Sequence, residues 1–222
     1  AIAEQASQMD YAPSFQLSHP GAFEAATAVA SFMPEGMDRI FFTNSGSEAV
    51  DTALKIARAY HQARGDSRRT KFIGRAKGYH GMGFGGLSVS GIGRQKRDFG
   101  PLLGEVSHLP LPYDAGMRFS AGQSPQGASY ADALSQLLDI QDPGTVAAVI
   151  VEPVTGSGGV YPPPQGYLQR LREICTATMR AAARTSAAGT PVTLSKVSGE
   201  FSGLATNSHH SLKLLSSQRC AT

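Results

Sequence analysis

The sequence predicts an α/β fold with a largely parallel sheet, and three observations carry that prediction. Short runs rich in β-branched and aromatic residues, at Arg39–Thr43, Lys71–Arg75 and Thr145–Val151, alternate with helical patterns. The last of them, TVAAVIV, is almost wholly apolar, as in a strand covered on both faces. Such alternation of strand and helix is the pattern of a sheet flanked by helices.

Taken in chain order, residues 1–20 read as irregular, with Pro13 and Pro20 as breakers. The run GAFEAATAVASFM from Gly21 to Met33 suits a helix with Phe23, Ala26, Ala30 and Met33 near one face, and Pro34-Glu35-Gly36 stops it. Arg39–Thr43 is expected to be a buried strand. After Asn44-Ser-Gly-Ser-Glu-Ala49 a long amphipathic helix runs to about Arg64. Val50, Ala53, Leu54, Ala57 and Tyr60 line its inner stripe, with Asp51, Lys55, Arg58 and Gln62 facing out. Lys71–Arg75 is the second strand, followed by the flexible, glycine-dense stretch GYHGMGFGG from Gly78 to Gly86. Residues 110–128 form a Pro/Gly/Ser-rich loop, and Tyr130–Ile140 a short helix. The apolar strand ends in Glu152-Pro153. A glycine-rich loop, prolines at 162–164 and a helix over about Gln165–Cys175 follow.

Composition excludes several classes. The chain has 222 residues, 41% hydrophobic and 17% charged, which is ordinary for a globular protein and argues against wholesale disorder. No apolar run approaches the ~18 residues of a membrane span, and no basic-then-apolar leader opens the sequence. Only Cys175 and Cys220 are present, so a disulfide scaffold is not expected. The expectation is a soluble, cytoplasmic protein. The net charge of +3 belongs to the end of the chain: residues 1–175 hold 15 Lys/Arg against 16 Asp/Glu, whereas Arg180, Arg184, Lys196, Lys213 and Arg219 face Glu200 alone. No basic stripe interleaved with aromatics marks a nucleic-acid surface.

Three segments could carry chemistry. Ser45-Gly46-Ser47 joins the first strand candidate to a helix, and free N–H groups at a helix N-terminus, with the dipole, favour an anion such as phosphate. The same residues also fit a capping box, Ser45 with Glu48, that needs no ligand. Tyr79-His80 offers a ring for stacking with an imidazole beside it, or simple packing. Glu152 lies at the carboxyl end of a strand, where open α/β sheets place ligands, and where an edge salt bridge is equally at home.

Together, FFTNSGSEA (Phe41–Ala49), GRAKGYHG (Gly74–Gly81) and VAAVIVEPVTGSGGVYPPPQGYLQRLREIC (Val146–Cys175) resemble the class III pyridoxal-phosphate-dependent aminotransferases. The segments SHPGAFEAA, RTKFIGRAKGYHG and DFGPLLGEVSHLP are most similar to the omega-amino acid (beta-alanine):pyruvate enzymes of that class. The resemblance spans roughly residues 12–175. It implies part of the large domain of a type I transferase fold, pyridoxal 5'-phosphate as cofactor, an amine donor and pyruvate or another 2-oxo acid as substrates, and a homodimer. It also implies that Ser45, Gly46 and Ser47 hold the phosphate, that Tyr79 stacks on the pyridine ring with His80 beside it, and that Glu152 sits near the ring hydroxyl. Another class III enzyme, such as an aminomutase, and a non-catalytic cofactor-binding or dimer-partner protein are the alternatives.

Residues 176–222 depart from the family. Members have a strand ending in an aspartate that pairs with the pyridine nitrogen and, further on, a lysine in an Ala-Lys-Gly context that binds the cofactor covalently. Here the aspartate position falls near Thr185, no Asp follows Cys175, and Lys213 lies in HSLKLLSS. No residue of the chain is assigned as catalytic. The segment is Ala/Ser/Thr-rich and is expected to be poorly ordered, apart from Thr178–Arg184, leaving the 145–151 strand without its sheet neighbour. It is also readable as one nucleotide out of frame. Codons for Met179–Arg184, shifted by one, can give Cys-Gly-Leu-Leu-Leu, and those for Ser216–Ala221 can give Val-Ala-Lys-Gly-Ala. Truncation and divergence are the competing explanations.

Overall fold

A computed structural model describes residues 1–13, 17–113, 116, 124–185, 194–197 and 200–201. It separates two units, one containing Ala1–Phe42 and the other Thr43–Phe201.

The first unit carries helices α1 (Ile2–Gln8) and α2 (Pro20–Ala30). Pro20 opens α2, where its missing N–H costs nothing, and His19 Nδ1 accepts from Gly21 N–H at 3.0 Å. No residue of α2 is buried, and Phe23 is 52% exposed, so the stripe expected on this helix is not a core face. Arg39–Thr43 corrects the sequence reading: it belongs to no strand. Its β-rich composition finds no ladder partner among the described residues, and of its hydrophobic side chains only Ile40 is buried while Phe41 and Phe42 are exposed.

The second unit is built on a five-stranded sheet in the order β2-β1-β3-β4-β5, with β1 Lys71–Arg75, β2 Val106–Leu109, β3 Val146–Val151, β4 Leu194–Val197 and β5 Glu200–Phe201. All neighbours are parallel except the β4–β5 pair. Along β1, Phe72 and Ile73 point to opposite faces, and each nucleates a core layer. Phe72 packs with Ala147, Ala148 and Ile150 of β3, with Val50, Leu54 and Ala57 of α3 (Gly46–Ala63), and with Val89 of α4 (Phe84–Val89). Ile73 packs with Leu134, Leu138, Tyr167, Leu171 and Ile174 of α6 (Ala133–Gln141) and α7 (Tyr167–Thr185). The expected covering of the apolar strand on both faces is thus realised.

Helix α3 keeps its inner stripe, and Lys55 and Gln62 face out as expected, but Asp51 and Arg58 are drawn partly in. Asp51 is half-buried and accepts from the N–H groups of Gly85 (3.4 Å) and Gly86 (2.5 Å), capping α4. Arg58 lies over the Phe72 ring, 4.9 Å from its centroid, and donates twice to Thr70 O. His61, not singled out in the sequence, is buried with Nε2 at 3.0 Å from Ala147 O, and burial lowers its pKa.

Other boundaries also move. The glycine-dense stretch runs into α4 rather than staying a loop. The 130–140 helix is two, α5 (Gly127–Ala131) and α6, meeting at Asp132, whose carboxylate accepts from Arg170 Nε at 2.8 Å. Helix α7 continues ten residues past Cys175, because Ala, Met and Arg in ATMRAAAR are good helix formers. Strand β4 pairs with β3 through Ile150↔Leu194 and Val151↔Ser195, so the apolar strand has a neighbour on that side. Positions 186–193, 198–199 and 202–222 of the tail, including Lys213, lie outside the described residues. Among the described residues no helix is long and apolar enough to cross a membrane.

Candidate cofactor site

The site assembles at the carboxyl ends of β1 and β3, beside the first turn of α3. The capping box is present: Ser45 Oγ accepts from Glu48 N–H at 3.2 Å, and Glu48 Oε2 accepts from Asn44 N–H at 2.9 Å. It does not exhaust the helix start. The N–H groups of Gly46 and Ser47, the first two of the helix, precede any intrahelical acceptor and remain available to an anion. Capping and anion binding are therefore compatible, since they draw on different donors.

Ser47 connects the helix to the glycine loop. Its Oγ accepts from Met82 N–H at 3.0 Å, which leaves the hydroxyl proton free to donate elsewhere. Gly81 has φ +103°, and a Cβ there would stand 2.7 Å from Ser47 Cα. Only glycine permits that approach. The loop after β1 is thereby pressed onto the α3 N-terminus.

Tyr79 and Glu152 meet through the backbone. Tyr79 is half-buried, and its N–H donates to Glu152 Oε1 at 3.2 Å. Glu152 is itself 6% exposed, and its carboxylate holds the loop that carries Tyr79. His80 follows Tyr79 on the same loop. It is fully buried, its N–H donates to Ser90 Oγ at 2.8 Å, and its ring packs against Gly78. Its burial and its bond to Ser90 tie this loop to the end of α4.

Sequence reasoning missed four contributors. Asp51 anchors Gly85 and Gly86 and so fixes the far end of the glycine loop. Gly81 and Met82 N–H complete the contact to Ser47. Arg75, 1% exposed at the end of β1, donates through Nη2 to Glu152 O at 2.8 Å and to Thr155 Oγ1 at 2.6 Å. Its guanidinium also lies 5.8 Å from the centre of the buried Tyr167 ring, whose hydroxyl pKa is raised by burial against the opposing pull of Arg75. The one available signal was a charge closing the apolar run Phe72-Ile-Gly-Arg75.

Comparison with known proteins gives a consistent picture. The family model described as aminotransferase class-III matches residues 1–180. An omega-aminotransferase of Caulobacter vibrioides is 56% identical over 176 residues, 79% of this chain and 40% of that protein. The beta-alanine–pyruvate aminotransferase of Pseudomonas aeruginosa is 47% identical over 176 residues, 79% of this chain and 39% of that one. Among solved structures, a thermostable omega transaminase mutant from Pseudomonas jessenii aligns with TM-score 0.73 at 33% identity, covering 80% of this chain and 40% of its own. A transaminase from the marine bacterium Virgibacillus aligns with TM-score 0.72 at 30% identity, covering 88% and 39%. The chain thus spans about two fifths of the length of the curated relatives it matches.

Proposed function

This chain belongs to the class III aminotransferases, and from that premise we propose that its Ser45–Ser47 turn, Tyr79 and Glu152 hold pyridoxal 5'-phosphate. The observation that carries the proposal is the convergence of three segments distant in sequence, tied by Met82 N–H to Ser47 and by Tyr79 N–H to Glu152. The donor set fits the group. A phosphate would receive the N–H groups of Gly46 and Ser47 and the hydroxyl of Ser47 at the positive end of α3. Tyr79 would lie against the ring, Glu152 would approach its polar edge, and His80 would stiffen the loop from inside. When bound, the cofactor supplies the electron sink and the carrier for an amino group.

The activity that goes with this arrangement is transfer of an amino group from an omega-amino acid or amine to pyruvate, as the names of the relatives suggest. A homodimer in the cytoplasm, with no nucleic-acid or membrane partner, is the matching setting. For the chain on its own, the second reading is favoured: cofactor binding without turnover. Residues 176–222 contain no aspartate to partner the ring nitrogen, and no lysine stands in the context that the family uses. A missing acid–base group alone typically costs ~10²–10⁴-fold.

The test is alanine formation from beta-alanine and pyruvate with excess cofactor. The expected result is no turnover above the free-cofactor background, together with no cofactor fixed to the chain by borohydride. Turnover that disappears on Lys213→Ala would show instead that the tail supplies a catalytic lysine.

A further inference from the structure

We propose that Arg75 is a positioning residue of this site, holding Glu152 and the loop after it so that the Tyr79 platform is aimed at the cofactor ring; the inference rests on the cofactor reading above. Arg75 is a full charge at 1% exposure with no carboxylate within ion-pair distance among the described residues. A packing role alone would be met better by an aliphatic side chain, because an uncompensated buried charge is costly. What the guanidinium provides is geometry. Through Nη2 it grips both sides of the Pro153-Val154 corner, at Glu152 O and at Thr155 Oγ1. Thr155 in turn closes the 155–161 loop by exchanging two backbone hydrogen bonds with Tyr161, at 3.0 and 2.9 Å.

The same residue governs Tyr79 from the other side. The Arg75 carbonyl accepts from Gly78 N–H at 3.0 Å, closing the turn that leads into Tyr79. The Gly78 carbonyl then accepts from Gly91 N–H at 2.8 Å, while Gly91 O accepts from Lys77 N–H at 3.1 Å, so that turn is pinned. The main chain of Arg75 therefore fixes where Tyr79 starts, and its side chain fixes where Glu152 stands. The hydrogen bond between Tyr79 N–H and Glu152 Oε1 closes the circuit. None of these links touches the Ser45–Ser47 turn. The phosphate and ring parts of the site should respond separately.

That separation is what calorimetry with two probes reads, on the full 222-residue chain. Arg75→Met is expected to leave inorganic phosphate affinity within about twofold of the starting protein while weakening pyridoxal phosphate about tenfold, the loss expected for a hydrogen bond to a charged group. The visible circular dichroism of the bound cofactor, which reports how the ring is held, should weaken in parallel. Arg75→Lys, able to keep the charge and one of the two bonds, should recover part of both signals. Thr155→Val removes one acceptor and leaves Arg75 in place, so it carries the test should Arg75→Met not fold; a loss of a few fold confined to pyridoxal phosphate is expected. A parallel loss for both probes would reduce Arg75 to a structural residue, and unchanged affinity for both would deny it any role. Failure of the unsubstituted chain to bind pyridoxal phosphate would remove the cofactor reading itself, and this inference with it.

Discussion

Strand β3 has two neighbours, and they differ in what they contribute. On one side β1 pairs with it in parallel, and the end of β1 delivers Arg75, the turn to Tyr79 and the loop that reaches Ser47. On the other side β4 also pairs in parallel, at Ile150↔Leu194 and Val151↔Ser195, but the segment that carries it lacks the aspartate and lysine context of the family. The contrast separates two requirements. Covering a sheet edge needs only backbone N–H and C=O groups in extended conformation, which almost any short segment can supply. Building a site needs particular side chains at particular ends of strands. The β1 flank supplies both the pairing and the side chains of the proposed site, and the β4 flank supplies the pairing.

The largest expected effect follows from breaking the β1 flank at its tightest point. Gly81→Val places a Cβ against Ser47 Cα at a φ of +103°, a conformation that costs on the order of 1–3 kcal/mol for a residue with a side chain. Loss of saturable phosphate binding, with a lower urea midpoint, is the outcome to look for. A smaller change is expected for Ser45→Ala, which removes the helix cap and should cost about 1 kcal/mol in stability. Its phosphate affinity should change far less than that of Gly81→Val, because the proposed anion donors are Gly46 and Ser47.

Acid sharpens the comparison more gently. Burial lowers the pKa of His61 below its usual 6.5, and burial with the nearby Lys96 ammonium does the same for His108. The unfolded chain therefore binds protons that the folded chain resists. Their contribution is complete above pH 6.5 and declines as pH falls from there toward the depressed folded values. The urea midpoint should drop on that descent, with a shallower slope in His108→Gln than in the unsubstituted chain. The smallest effect concerns the β4 flank. Hydrogen exchange at Ile150 and Val151 should be faster than at Phe72 and Ile73, because β4 pairs with β3 at two positions whereas β2 pairs with β1 at four. Sequencing the gene across codon 175 bears on the origin of that flank: a lost or gained base would account for the change in character, and an unbroken frame would rule out the shift.

How much of this was legible beforehand follows the same division. Helix α3 could be read from its helical period, and strands β1 and β3 from short runs rich in β-branched and aromatic residues. The meeting of Ser47, Tyr79 and Glu152 could be read only through the family resemblance, since 35 residues separate Ser47 from Met82 and 73 separate Tyr79 from Glu152. Arg39–Thr43 was misread because composition favours extended backbone without supplying a partner. Helix α4 was invisible because FGGLSV has poor helix propensity, and its formation depends on Asp51 and on the burial of Leu87 and Val89. Arg75 and the inward turn of His80 depend on contacts 77 and 10 residues away, which no local pattern encodes.

The central claim is that the β1 flank retains a cofactor site whatever the β4 flank has become. The most direct measurement is equilibrium dialysis of pyridoxal phosphate against the full chain and against Gly46→Val, in which a side chain obstructs the donors at the start of α3. The account predicts saturable binding that inorganic phosphate competes away, weakened about tenfold by the substitution. Binding that is unsaturable, or equal in the two proteins, would contradict it.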